Sequence, residues 1–310
     1  MLTKPELALC ENRTTKPKSN DTTGAPDDWF DNSILSAENL AGISFDFFVN
    51  WSFNPGTITP FAWIKRILPK APTEYIKEGL IEGELLIAEI IETEGANTLE
   101  LQAQFCSKHG LTLQYLLFRD INWSSNPEII FLTTVGYSNG QLMYSIEEIT
   151  LAQLMDRIQT YSGGPVNIGN KGLMYGTSTL ECFLSKTKSL YPGDADLIIF
   201  RTDSFDVVTL LEFKKHNLSD PIGEQKLRKY YPNPDERKYK RLAILRDFLG
   251  QGVQIKCIYY PTRLNDYGKL ELINGPSQSL VSGNATLFHL PRMGDSETYT
   301  KVTNGVIGYK

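Results

Sequence analysis

"DADLIIFRTDSFDVVTLLEFKKH" occupies residues 194–216. Two apolar runs, 197–200 and 207–211, are bracketed by Asp194, Asp196, Glu212 and Lys214. The "TDSFD" between them reads as a turn, so the stretch predicts a β-hairpin. If the hairpin is symmetric about Ser204, Asp196 faces Glu212 and Asp194 faces Lys214. Directly opposed residues carry their Cβ atoms about 4.5–5.5 Å apart. Glu212 and Lys214, two apart on one strand, point to the same face. The pattern converges carboxylates and one ammonium on one patch. Leu197, Ile199, Leu211 and Phe213 are apolar on the other face, as are Ile198 and Leu210 on the charged one, which suits an interior strand. Charge beside such a core is costly unless paired or bound to metal. Oxygen-only ligands suit Mg²⁺ or Mn²⁺ rather than zinc. The bland alternative is a surface hairpin with solvated ends and an Asp194–Lys214 ion pair.

Working outward, the order predicted around this hairpin is a helix over about 177–190, strands over 194–200 and 206–214, helices over 222–231 and 235–249, and a strand over 253–260. Residues 263–310 read as irregular or β. On the other side, "SGGPVNIGNKG" (162–172) reads as a linker. Before it come a strand in "ISFDFFVNWSF", partial helix over 75–93, a helix in "NTLELQAQFCSKHG" and strands in "LTLQYLLF" and "EIIFLTT". A helix follows in "SIEEITLAQLMDRIQTY", from the spacing of Ile149, Leu151, Leu154 and Ile158. Residues 1–28 are polar and read as a flexible arm. The organisation expected is thus an arm (1–28), an α+β region of unknown type (29–162), a core (163–262) and a C-terminal extension (263–310). No internal repeat shows in the sequence.

The 310 residues suffice for one large domain or two ordinary ones. No apolar run approaches a membrane span, and the N-terminus lacks the pattern of a secretory signal. The four cysteines are scattered and form no CxxC pair, so neither a disulfide framework nor a zinc site is expected, and a reducing, cytoplasmic setting is. The net charge of -5 argues against indiscriminate nucleic-acid binding. Residues 214–246, however, hold ten Lys/Arg against four Asp/Glu, +6 where the remainder carries -11.

The stretch "PGDADLIIF…VVTLLEFKKH", with its flanking elements, resembles the catalytic hairpin of the PD-(D/E)XK nucleases, the restriction-endonuclease-like superfamily. The likeness covers roughly residues 173–260. Pro192 is separated from Asp194 by Gly193, a departure that leaves Asp194 and Asp196 both open as the main acidic ligand, with Asp196 favoured by the register. The resemblance implies an α/β fold, a restriction-endonuclease-like mixed sheet flanked by helices. It implies Mg²⁺, with Mn²⁺ as a substitute, held by Asp196, Glu212 and the Phe213 carbonyl, and Lys214 acting on the attacking water and the phosphoryl charge. Glu181 is a further candidate on the preceding helix, although Ser178-X-X-Glu181 is equally a capping box. Gln225 and Tyr230 resemble a Gln and Tyr of RecB-like members, but their five-residue spacing does not align them on one helical face. Lys226, Lys229, Arg237, Lys238 and Arg241 are candidate phosphate contacts. The function expected is a metal-dependent DNA endonuclease, restriction-type or structure-selective, with RNA as another substrate and a homodimer as an open assembly. The alternative is a nuclease-like module that only binds nucleic acid or a protein partner.

Overall fold

The structure, a computed structural model, describes residues 1–18, 23–166, 172–189, 191–217 and 219–309. Residues 167–171 of the expected linker, 162–172, lie outside the described residues. The chain is mixed α/β and divides into two compact units. The first comprises Met1–Pro17 and Phe45–Pro192, the second Lys18–Ser44 and Gly193–Lys310. The boundary therefore falls just before the charged hairpin, and not at the glycine-rich 162–172. The C-terminal residues 263–310 are part of the second unit rather than an appendage.

In the first unit the strands are β1 (Leu40–Asn50, from residue 45), β2 (Thr57–Ile67), β3 (Thr112–Phe118), β4 (Ile130–Ser138) and β5 (Gln141–Ile149). Between β2 and β3 run helices α1 (Gly83–Glu94) and α2 (Ala96–Lys108), and α3 (Leu151–Tyr161) follows β5. A short helix α4 (Thr179–Leu184) closes the unit. Sheet order follows chain order, and only the β2–β3 pair is parallel. Phe48, Trp63, Leu116, Leu132 and Ile149 of the strands pack with Leu154 and Ile158 of α3 and with Leu180 and Leu184 of α4. The helix expected in "SIEEITLAQLMDRIQTY" starts only at Leu151. Thr150 caps it, its hydroxyl accepting from the Gln153 N–H and the Gln153 side chain returning to the Thr150 N–H. Residues 145–149 instead complete a ladder with β4.

The N-terminal arm is not loose over its first part. Leu2 and Ala8 are buried, Thr3 bridges Ile67, and Arg13 donates to the carbonyls of Gly176 and Thr177. Cys10 and Cys182 form a disulfide. Chain spacing says nothing about which cysteines meet in space, so the expectation of none is corrected. The inference of a reducing compartment loses its ground with it. No helix among the described residues is long and apolar enough to cross a membrane.

In the second unit the strands are β6 (Gly193–Arg201), β7 (Val207–His216), β8 (Gln254–Pro261), β9 (Tyr267–Asn274) and β10 (Val281–His289), again in chain order in the sheet. Helix α5 (Glu236–Leu249) lies between β7 and β8, and α6 (Ser296–Gly308) follows β10. Only β7–β8 is parallel. Leu197, Ile199, Leu211, Ile258 and Leu270 form one apolar face. They pack with Trp29 and Leu35 of the two short helices before β1 and with Tyr299, Val302 and Val306 of α6. α5 packs against β6, β7 and β8.

The two units thus share the order of five strands with helix inserted after the second and after the fifth, by two helices at each place in the first unit (α1 and α2, then α3 and α4) and by one in the second (α5, then α6). This repeat is invisible in the residue string, because strand pairing constrains apolar alternation and turn position and leaves most identities free.

The helix expected over 222–231 is replaced by two single turns, Ile222–Glu224 and Leu227–Lys229. Backbone groups there find side-chain partners from β9. The Leu227 N–H donates to Glu271 at 2.8 Å, and Lys269 Nζ donates to the carbonyls of Gly223, at 3.0 Å, and Gln225. Gln225 and Lys226 are extended. With those groups satisfied laterally, nothing favours a continuous helical ladder.

Candidate metal and phosphodiester site

The hairpin register is the one the symmetric turn implies. Leu197 faces Leu211, Ile198 faces Leu210 and Ile199 faces Thr209, after which a bulge shifts Phe200 onto Val207. Continued by one residue, this register sets Asp196 opposite Glu212. β7 is interior, antiparallel to β6 and parallel to β8.

Glu212 is 0% exposed, and neither carboxylate oxygen has a well-directed hydrogen bond. Its Oε1 instead has two ionic neighbours, Lys238 Nζ at 2.9 Å and Lys214 Nζ at 3.4 Å. Asp196 Oδ2 accepts from the Phe213 N–H at 2.7 Å, which turns Oδ1 towards Lys238 Nζ, 3.7 Å away. Asp194 Oδ2 lies 3.3 Å from the same ammonium. Lys214 Nζ donates to Asp235 Oδ2 at 2.6 Å and stands over the rings of Tyr230 and Tyr239.

Burial and then the charge of Glu212 raise the Asp196 carboxyl well above its usual range. Burial pulls the Lys238 ammonium down, but Asp194, Asp196 and Glu212 together outweigh it and hold Lys238 firmly protonated. Burial likewise opposes the charge on Lys214, and Glu212 and Asp235 more than restore it. Four carboxylates (Asp194, Asp196, Glu212, Asp235) surround two ammonium groups, and the charge of Arg241 also reaches Asp194. With all four ionised, negative charge is in excess, and either a proton on Asp196 or a further cation relieves it.

Among the described residues no group of three or more His, Cys, Asp or Glu side chains is arranged to hold one metal ion. The carboxylates are grouped on the Lys238 ammonium. Mg²⁺ ordinarily keeps several waters and needs only one or two carboxylates. The Glu212 oxygens, which lack a well-directed hydrogen bond, and Asp196 Oδ1 fit that requirement if the Lys238 ammonium gives way.

Two candidates have other partners. Glu181 belongs to the first unit, where its carboxylate accepts from the Thr177 N–H at 2.5 Å and from the Thr177 hydroxyl at 2.8 Å. Ser178 Oγ accepts from the Glu181 N–H, so the capping reading describes what this side chain does, shifted by one residue. Phe213 contributes an amide N–H to Asp196, while its ring stacks on Phe30.

Among the expected phosphate contacts, Gln225 is 1% and Arg241 8% exposed, too buried to present a surface to a nucleic acid. Lys238 is turned into the carboxylates, and Lys229 pairs with Asp220 at 2.8 Å. Lys226 is half-exposed. Gln225 and Tyr230 do meet, the Tyr230 hydroxyl donating to Gln225 Oε1 at 3.2 Å, because the segment is not a helix and the five-residue spacing carries no helical phase.

Lys238 and Asp235 as parts of the cluster were missed by sequence reasoning. The available signal was position: Asp235 precedes the first residue of α5, and Lys238 lies in its first turn. The first turn of a helix packed over a strand end reaches that end. Compared with family models, curated proteins and solved structures, the chain matches none.

Proposed function

We propose that the second unit is a divalent-metal-dependent nuclease centre of the PD-(D/E)XK, restriction-endonuclease-like kind, acting on DNA as an endonuclease. The observation that carries the reading is Glu212: a fully buried carboxylate with both oxygens lacking a hydrogen bond, next to Asp196 and one strand position pair away from Lys214. Asp196 and Glu212 would hold the ion. Bound Mg²⁺ supplies a more acidic water and neutralises charge developing on the phosphoryl group.

The chain's own groups have separate tasks. The Phe213 N–H fixes the rotamer of Asp196. Asp235 and Glu212 hold the Lys214 ammonium between them, protonated, where it orients water and meets phosphoryl charge as a point cation. Tyr230 and Tyr239 wall that ammonium with aromatic faces. The basic excess of residues 214–246 gives the same unit its attraction for a polyanion.

Labelled single-stranded, duplex and branched DNA, and RNA, incubated with and without Mg²⁺, test the reading. Cleavage that requires Mg²⁺ and is lost in Glu212→Gln is expected. No cleavage of any of these substrates, with either Mg²⁺ or Mn²⁺, would overturn it. One observation favours the rival reading, a module that binds without cutting: the Lys238 ammonium already sits among the carboxylates. Binding that is indifferent to Mg²⁺ and to Glu212→Gln would establish the rival.

A further inference from the structure

The Lys238 ammonium contacts all three carboxylates of the β6–β7 end, at 3.3 Å from Asp194, 3.7 Å from Asp196 and 2.9 Å from Glu212. It comes from α5, an element separate from the hairpin. Its stem is four methylenes long, with several rotatable bonds, and the side chain is 28% exposed, so a path to solvent is open. Glu212, by contrast, is rigidly placed on an interior strand and has no exposure at all. Two cations cannot share these oxygens at such distances without strong mutual repulsion.

We infer that Lys238 is a tethered counter-cation that a divalent metal ion must displace: ammonium and metal compete for Asp196 and Glu212. This rests on the metal-site reading above. In the metal-free protein the ammonium keeps the buried carboxylates from repelling one another. On metal binding it swings out on its stem towards solvent. The site is thereby held folded without metal, at the expense of metal affinity. The role differs from that of Lys214, which Asp235 anchors from outside the carboxylate group at 2.6 Å and which therefore stays when an ion enters.

Calorimetric titration with Mn²⁺ reads the competition directly. Lys238→Met removes the competing charge and keeps the length of the stem, so it should bind Mn²⁺ about tenfold more tightly or better. The same variant should melt lower than the parent in chelator and gain more from saturating Mn²⁺. Equal or weaker Mn²⁺ affinity in Lys238→Met, with the parent binding normally, overturns the displacement and leaves the metal site standing. Absence of Mn²⁺ binding in both proteins overturns the metal site and the displacement together. Binding by the variant alone would be the strongest support.

Should Lys238→Met not fold, the parent gives an independent readout. In a spectrum of ¹⁵N-labelled lysine ammonium groups, an ordered signal that Lys238→Arg removes should disappear on saturation with Mg²⁺. Its persistence at saturation overturns the inference.

Discussion

The two units run the same strand order, with helix after the second and after the fifth strand of each, and they place the same two residue types at the same points. In the first, Asp46 of β1 faces Trp63 of β2, and Lys65 follows two residues on. In the second, the register sets Asp196 opposite Glu212, with Lys214 two residues on. The next strand continues the match, Trp63 pairing with Gln114 and Glu212 with Cys257 across a parallel ladder. The decisive difference is one position. Trp63 is fully buried and donates its Nε1–H to Gln114 at 2.8 Å, so that place is filled with a satisfied aromatic. Asp46 and Lys65 then form a closed pair, 3.2 Å apart, with one charge of each sign. Glu212 instead adds a second buried carboxylate, and a second ammonium, Lys238, meets it at 2.9 Å. An aspartate and a lysine at a hairpin end are therefore ordinary structure. On the reading proposed above, this second acid is what would hold a metal ion in place of the Lys238 ammonium.

The largest expected effect breaks the comparison if it fails. Glu212→Gln should lower Mg²⁺-dependent cleavage by about three orders of magnitude or more, because ion and water activation go together. Asp46→Asn should leave the cleavage rate of the folded protein unchanged. Equal losses in the two variants would mean that the first unit also carries chemistry. Mn²⁺ titration sharpens the point: one ion-binding centre per chain is expected, in the second unit, abolished by Glu212→Gln and untouched by Asp46→Asn.

Next in size is a stability effect confined to the first unit. Lys65→Met leaves Asp46, whose side chain is 5% exposed, without its ammonium. Removing one partner of a buried pair costs about 3–5 kcal/mol. Thermal or urea unfolding should show that loss, while Mn²⁺ affinity stays at the parental value. The disulfide gives a loss of similar kind. Cys10→Ser should destabilise the first unit by about 2–5 kcal/mol, the usual range for removing a native bridge, again without effect on Mn²⁺ binding. A shift in Mn²⁺ affinity in either variant would show that the site draws on both units.

The hairpin was legible because its signal is local. Apolar runs, a polar turn and charged ends fix register within a few residues, and register alone brings Asp196 to Glu212. The strand "TITPFAWIKRI" was missed, although its alternation resembles the others, and without it the first unit had no visible hairpin to set beside the second. The Cys10–Cys182 bond and the Lys238 contacts join residues far apart in sequence or on different elements, and no periodicity encodes them. The segment 222–231 reads as a helix by composition. The buried charges of Lys269 and Glu271, about forty residues downstream, redirect its backbone hydrogen bonds.

The smallest expected effect concerns substrate attraction. The basic excess of 214–246 lies wholly in the second unit, but several of its cations are committed inward or paired: Lys214, Lys238 and Arg241 are buried or held by carboxylates, and Lys229 pairs with Asp220. Lys226 is half-exposed, and Arg228 and Arg237 are exposed. These three are the side chains best able to meet phosphates. Each phosphate neutralised on duplex DNA contributes a slope of about -0.9 to log affinity against log salt. A variant with all three changed to Ala should therefore bind duplex DNA more weakly at low salt, with a slope shallower by up to about 2.7 if each meets one phosphate. The comparison set is Lys70, Lys77 and Lys108, exposed residues of the first unit, whose replacement should leave the slope where it was. Measured in the Glu212→Gln background, binding is read without cleavage. A slope that falls equally for both sets would mean that nucleic acid is drawn to the two units alike, and the asymmetry would then be confined to the carboxylates.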